Sequence, residues 1–380
     1  MAGSAKGLLD WCKANWPRLR KTAVAVFVLV VLVLLGYAMT KVHWGEVFDA
    51  ITKLSGATLW SAAAITLASY LVYSTYDLLG KWYTDHGLAW WRVIMVGMIS
   101  YAFTMSLGAP IGGLAMRLRL YVKQGLEQGT VMRILGISIT SNWIGYLLVA
   151  GAIFGMGKMR LPQNWELGNG ALQVLGVAMF AAGLAYLYLC AFSKTRSWNI
   201  RGHNIELPSI GLATAQISLA IVNWMLIAGV IYVLLQQRAD YFVVLGILLV
   251  SAIAGAIAHV PGGVGVIESV FIALLPGDLP QNEILGAVLV YRALYYVAPL
   301  LIAGAWYLAA EAKMTGPAES PKADSGTPGS AKIDRGTPGP ADVERGTDGP
   351  LMAEHGAPHR DGNAVDVCPV AVNKRGSRPA

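Results

Sequence analysis

Glu268 is the residue in this chain best placed to do chemistry. It lies in the apolar stretch Val264 to Leu275, directly after the break Pro261-Gly262-Gly263-Val264-Gly265. An unpaired carboxylate in such surroundings is costly, so it must be protonated or paired with a cation. It reads either as half of a structural ion pair that locks the break, or as a site for a substrate or a proton. The glycines let helices approach closely and let backbone amides face a ligand. A half-helix starting near Val264 would aim its N-terminus at an anion such as a lipid phosphate.

Arg292 is the expected partner. It sits in Leu289-Val290-Tyr291-Arg292-Ala293-Leu294-Tyr295-Tyr296, too far from the ends of an apolar segment to snorkel easily. Its planar fork of donors suits a phosphate or a carboxylate. A fixed Glu268–Arg292 bridge and an exchanging anion site both fit these residues. A second break, Pro110-Ile111-Gly112-Gly113, is followed four residues later by Arg117. Arg117 thus holds the place after the first break that Glu268 holds after the second. Arg119 reads as an anchor at the cytoplasmic surface, and Asp77, beside Tyr73 and Tyr76, as an interfacial residue. Asn142 and Asn223 read as polar contacts between helices, and His259 as a helix-end group. Cys12, Cys190 and Cys368 have no metal or disulfide spacing.

These residues need a frame that tolerates broken helices among apolar ones, and the composition supplies it. The chain is 55% hydrophobic and 13% charged, with a mean hydropathy of +0.53. A soluble domain carries about 25% charged residues. Apolar runs of roughly membrane-spanning length lie at 22–40, 57–79, 93–109, 130–156, 170–192, 210–235, 241–275 and 284–310. From Lys313 onward basic and acidic residues balance at 9 each, so the net charge of +7 belongs to the membrane part. It is scattered, which argues against nucleic acid and for anionic lipid surfaces.

Charge also sets the expected topology. Residues 1–21 form a basic cytoplasmic segment leading into an uncleaved signal anchor. The balanced loop 41–56 reads as external, with Trp44, Val47, Phe48, Ile51 and Leu54 spaced as a short interfacial helix. The basic loops near Lys81, at Arg117 to Lys123 and at 194–206 are all placed in the cytoplasm only if 93–116 is re-entrant. Asp278 and Glu283 put loop 276–283 outside, so 241–275 also enters and returns. The expected fold is an all-α polytopic membrane protein over 22–311, with about six spanning helices and two re-entrant helical hairpins. The order of span, span, hairpin, span then occurs twice in opposite senses, as in an inverted-topology repeat. Residues 312–380 carry ten-residue units such as Asp334-Arg-Gly-Thr-Pro-Gly with few large apolar side chains. They read as a disordered cytoplasmic tail.

The motif Pro261-Gly262-Gly263-Val264-Gly265-Val266 with Glu268 resembles the signature of the lysylphosphatidylglycerol synthase transmembrane region, the flippase-like or UPF0104 family. Gly108-Ala109-Pro110 with Gly112, Gly113 and Arg117, and Tyr291-Arg292 with Pro299 and Gly304, add to the likeness. It covers roughly residues 20–310. In the full synthases this module precedes a soluble aminoacyl-transferase domain; here a low-complexity tail follows instead. The resemblance implies a stand-alone module in the bacterial inner membrane that translocates a polar lipid or lipid-linked intermediate. One branch accompanies hopanoid biosynthesis and other relatives accompany glycolipid assembly, which implies a lipid-synthesis enzyme as a partner. No nucleotide-binding, hydrolase or metal motif is present in the sequence, and no cofactor or metal is expected. Two other readings remain: a membrane-embedded transferase with Glu268 as base, and a scaffold whose tail recruits an enzyme.

Overall fold

The computed structural model describes residues 44–157, 159, 168–194, 197–200, 203–258, 261–275 and 279–315. The basic segment 1–21, the apolar run 22–40, His259 and the tail from residue 316 lie outside the described residues. The rest is helical apart from one small antiparallel pair, β1 (Ser197–Ile200) and β2 (His203–Glu206), with Ser197 opposite Glu206. From the residues alone that stretch is expected only as a loop.

Helix α1 (Trp44–Thr52) buries Val47 and leaves Phe48 exposed. Ala50 on its inner side packs beside Gly286, so part of the expected interfacial face meets protein. Helix α2 (Gly56–Thr84) starts at Ser55, whose hydroxyl accepts the Thr58 N–H, and stops at Asp85 in the left-handed region. Its 29 residues give a rod of about 44 Å, longer than the apolar run alone suggested and longer than a bilayer core of about 30 Å. Helices α5 (Gln128–Gly155), α6 (Asn169–Phe192) and α7 (Ile210–Leu234) follow the sequence expectation closely. Gly151 and Gly155 of α5 press on Phe180, Gly176 and Val177 of α6. Small residues spaced four apart let two membrane helices touch backbone to backbone.

Both expected breaks are helical hairpins. Helix α3 (Trp90–Leu107) ends at Gly108, where φ is +90°. The chain turns through a π-helical segment, Ala109–Met116, into the short α4 (Arg117–Lys123). Gly112 lies so close to α3 that a Cβ there would sit 1.9 Å from the Thr104 nitrogen. Helix α8 (Tyr241–Ala258) is followed by a single tight turn, Pro261–Gly263, and by α9 (Val266–Leu274), which folds back on α8. Gly262, Gly263 and Gly265 all have positive φ, a conformation other residues adopt only with strain. Helix α10 (Gln281–Arg292) continues through a second π-helical segment, Ala293–Val297, into α11 (Ala298–Thr315).

Among the described residues six helical stretches are long and apolar enough to cross a membrane by length and composition. They include Tyr241–Ala258, expected from the residues to be one arm of a hairpin. At 18 residues it is about 27 Å long, so length alone does not separate an arm from a span. The two breaks touch: Gly262 abuts the carbonyls of Met105 and Ser106, and Ser106 donates to the Tyr296 carbonyl at 3.3 Å.

Gly112→Ala should cost about 3 kcal/mol or more, because the obstacle is backbone and cannot rotate away. Gly136→Ala, with open space at its Cβ position, should be neutral or gain up to about 1 kcal/mol. Thermal unfolding in detergent tests both; equal melting of the two variants would contradict the close packing of the first hairpin.

Candidate functional site

Each broken hairpin is bound by an arginine that also holds a carboxylate. In the first, Arg117 donates through Nε to Asp77 Oδ2 at 3.1 Å and through Nη2 to Oδ1 at 3.1 Å. Its Nη1 reaches the Gly113 carbonyl at 3.3 Å. In the second, Arg292 Nη2 donates to Glu268 Oε2 at 3.0 Å, and Nε donates to Oε1. Arg292 Nη1 reaches the Gly262 carbonyl at 2.8 Å, and Nη2 also donates to that of Gly263. A tyrosine ring faces each guanidinium: Tyr73 at 5.9 Å from Arg117 and Tyr296 at 5.6 Å from Arg292. A π-helical segment adjoins each arginine, after which the chain resumes α-helix. Such segments re-aim side chains and often mark functional positions.

The two pairs differ in how completely they are satisfied. Asp77 and Arg117 are 0% and 1% exposed. Besides Arg117, Asp77 accepts the Tyr121 hydroxyl at 2.9 Å and the Ser138 hydroxyl at 2.6 Å. Its lone pairs are fully engaged. Glu268 and Arg292 are 12% and 8% exposed. Among the described residues Glu268 accepts hydrogen bonds from Arg292 alone. It also sits in the first turn of α9, where the helix dipole favours a negative charge. The first pair is therefore built to stay, and the second retains capacity for another ligand.

Asp77 corrects the sequence reading. It is buried at the heart of the first site, not interfacial, because α2 runs on past the apolar run and carries it inside the bundle. Arg119 is half-buried with its guanidinium over the Tyr307 ring at 5.6 Å. Pro110 is exposed at the first turn, whereas Gly112 and Gly113 are buried in it. Asn223 is buried and accepts the Ser69 hydroxyl across α2 and α7 at 2.8 Å; Asn142 is half-buried. Tyr121 and Ser138 went unnoticed in sequence, since neither lies near a break or a charge pattern. Among the described residues no group of three His, Cys, Asp or Glu side chains converges as a metal site. At the end of α2, burial and then the nearby Lys81 ammonium lower the His86 pKa from its usual value, against the opposing pull of Asp77.

A bundle of apolar helices around two arginine-bound hairpins defines a polytopic helical membrane protein. The chain belongs to the lysylphosphatidylglycerol synthase TM region family, which it matches over residues 23–303. It is 44% identical over 300 residues to the inner membrane protein YbhN of Escherichia coli, covering 79% of this chain and 94% of that protein. It is 30% identical over 292 residues to slr0712 of Synechocystis, covering 75% and 90%. The phosphatidylglycerol lysyltransferase of Bacillus subtilis is 23% identical over 297 residues, 73% of this chain but 33% of the enzyme. The likeness to the lysyltransferases is thus confined to about a third of their length.

Asp77→Asn keeps the shape and leaves Arg117 buried beside a neutral group, so it should destabilise by about 3–5 kcal/mol. Glu268→Gln should cost less, since its site is more open and two glycine carbonyls still hold Arg292. Thermal unfolding of both variants in one detergent checks the ranking; a larger loss for Glu268→Gln would reverse the assignment of the permanent pair.

Proposed function

We propose that this protein translocates a polar lipid with an anionic or phosphate-bearing head group across the bacterial inner membrane. The observation that carries the proposal is the unsaturated Glu268–Arg292 pair at the meeting point of two broken helices. Backbone breaks persist at membrane depth only where protein or a water-lined cavity covers them. Arg292 can exchange its carboxylate for a phosphate of similar geometry. Glu268 then holds the arginine in place between cycles, and the acyl chains remain in the bilayer. Arg117 anchors the first hairpin against which this exchange works.

The topology proposed with it has both termini in the cytoplasm. The two hairpins enter from opposite faces, as in transporters built from inverted repeats. The hairpin tips at Ser106 and Gly262, and the arginine–glycine carbonyl bonds in both halves, support that arrangement. The inner-membrane name of the Escherichia coli relative and the phosphatidylglycerol lysyltransferase name of the Bacillus relative support the membrane and the lipid class. Transport is favoured over transferase chemistry because Glu268 is held by an arginine, and among the described residues its hydrogen bonds come from Arg292 alone.

The test is a leaflet-resolved lipid assay in proteoliposomes on four proteins: wild type, Glu268→Gln, Arg292→Gln and the double variant. Glu268→Gln is expected to remain folded and to lose transport, and the double variant to stay inactive. Recovered transport in the double variant would reduce the pair to architecture.

A further inference from the structure

Helix α2 carries a polar stripe where a spanning helix should be apolar. Thr66, Ser69, Tyr70, Tyr73 and Asp77 recur at steps of three and four, so they share one face. The stripe runs about 16 Å along the helix, roughly half the hydrocarbon thickness. It is buried throughout. Opposite it lie Tyr101 of α3, Asn223 of α7 and Tyr295 of the second π-helical segment. Hydroxyls connect across: Tyr101 to Tyr295 at 2.8 Å, Tyr295 to Ser69 at 2.7 Å, and Ser69 to Asn223 Oδ1 at 2.8 Å. Tyr70 donates to the Tyr295 carbonyl at 2.8 Å. Tyr73 stacks on Tyr101 at 3.6 Å and lies under Arg117. Tyr291 stacks on Tyr295 and meets Tyr296, which lies by Arg292. The seam therefore reaches from one ion pair to the other.

Helix–helix adhesion would leave such a seam satisfied. Here the Thr66 and Ser100 hydroxyls, the Tyr76 hydroxyl and Asn223 Nδ2 are buried and complete no hydrogen bond among the described residues. Asn223 lies beside Tyr76. Buried polar groups without protein partners are where internal water is held.

We propose that this seam holds water and carries protons between the Glu268–Arg292 and Asp77–Arg117 pairs, so that translocation is proton-coupled. The inference rests on the transport reading for its purpose, though proton movement can be measured without it. A proton taken up by Glu268 from water on the head-group side, when Arg292 turns to a head group, is passed along the hydroxyls and waters past Asp77, which keeps its bridge, and is released to water at the Tyr121–His86 end of α2. Each oxygen accepts one proton and releases its own, so bonds made and broken balance and no co-reactant is needed. The groups facing the path are the two ion pairs, the tyrosines named, and Tyr121, which links Asp77 to His86 at the end of α2. His86 Nδ1 accepts the Leu88 N–H, and its Nε2 is buried with no hydrogen-bond partner among the described residues. Lys81, bound to the His86 carbonyl, is the nearby cation.

The full chain is reconstituted in vesicles of phosphatidylethanolamine and phosphatidylglycerol. A potassium diffusion potential drives protons, and a luminal pH dye reads them. Tail-labelled phosphatidylglycerol reports lipid movement in parallel. Wild type should conduct protons, and Tyr295→Phe and Asn223→Leu should lower that flux about tenfold. Tyr146→Phe removes a buried hydroxyl bound to the Leu249 carbonyl away from the seam and should leave flux unchanged, controlling for general damage. Proton flux without lipid movement would sustain the seam and defeat the transport reading. Lipid movement with no proton flux, no proton flux at all, or full flux in Tyr295→Phe would overturn the proton path.

Discussion

A helix that breaks inside an apolar bundle leaves carbonyls with no water to turn to, and this structure answers with arginine. Arg117 divides its donors between Asp77 and the Gly113 carbonyl, and Arg292 between Glu268 and the carbonyls of Gly262 and Gly263. The same guanidinium thereby pairs its charge and holds the turn closed. Removing the carboxylate strands the arginine; removing the arginine strands both the acid and the backbone. The short α4 and α9, the π-helical segments and the contact of Gly262 with α3 all depend on that double use.

The halves solve the problem with the roles exchanged. In the first, the arginine belongs to the hairpin and the acid to the preceding long helix. In the second, the acid belongs to the hairpin and the arginine to the following long helix. The first acid is saturated by Tyr121 and Ser138, whereas the second has no such support among the described residues. A fixed pair beside a convertible one is a workable basis for a cycle, since one hairpin can yield while the other holds. The tyrosine seam between them gives the two a physical connection through side chains rather than through distance alone.

Much of this was legible in the residues. The breaks at Pro110 and Pro261 announced themselves because proline and paired glycine cannot continue a helix unaided. The Glu268–Arg292 partnership followed from two charges that neither could afford to leave alone. Asp77 was misread because the apolar run ends near it, and hydropathy cannot distinguish a helix that leaves the membrane from one that turns its polar face inward. The same blindness hid the stripe from Thr66 to Asp77: tyrosine and serine weigh little in hydropathy, and only their three-and-four spacing reveals a face. Ser138 and Tyr121 could not be found, since their role exists only once α4 and α5 are packed on α2.

In the proposed topology the two hairpins dip from opposite faces and meet. Single cysteines at Gln124 and Asn199, and at Arg238 and Asn282, probed with a membrane-impermeant thiol reagent from each side, measure it directly in a background lacking the native cysteines. The first two should react only from the cytoplasm and the second two only from outside. Reaction of Gln124 from the outside would make α3 a span, invert every later loop, and contradict the account.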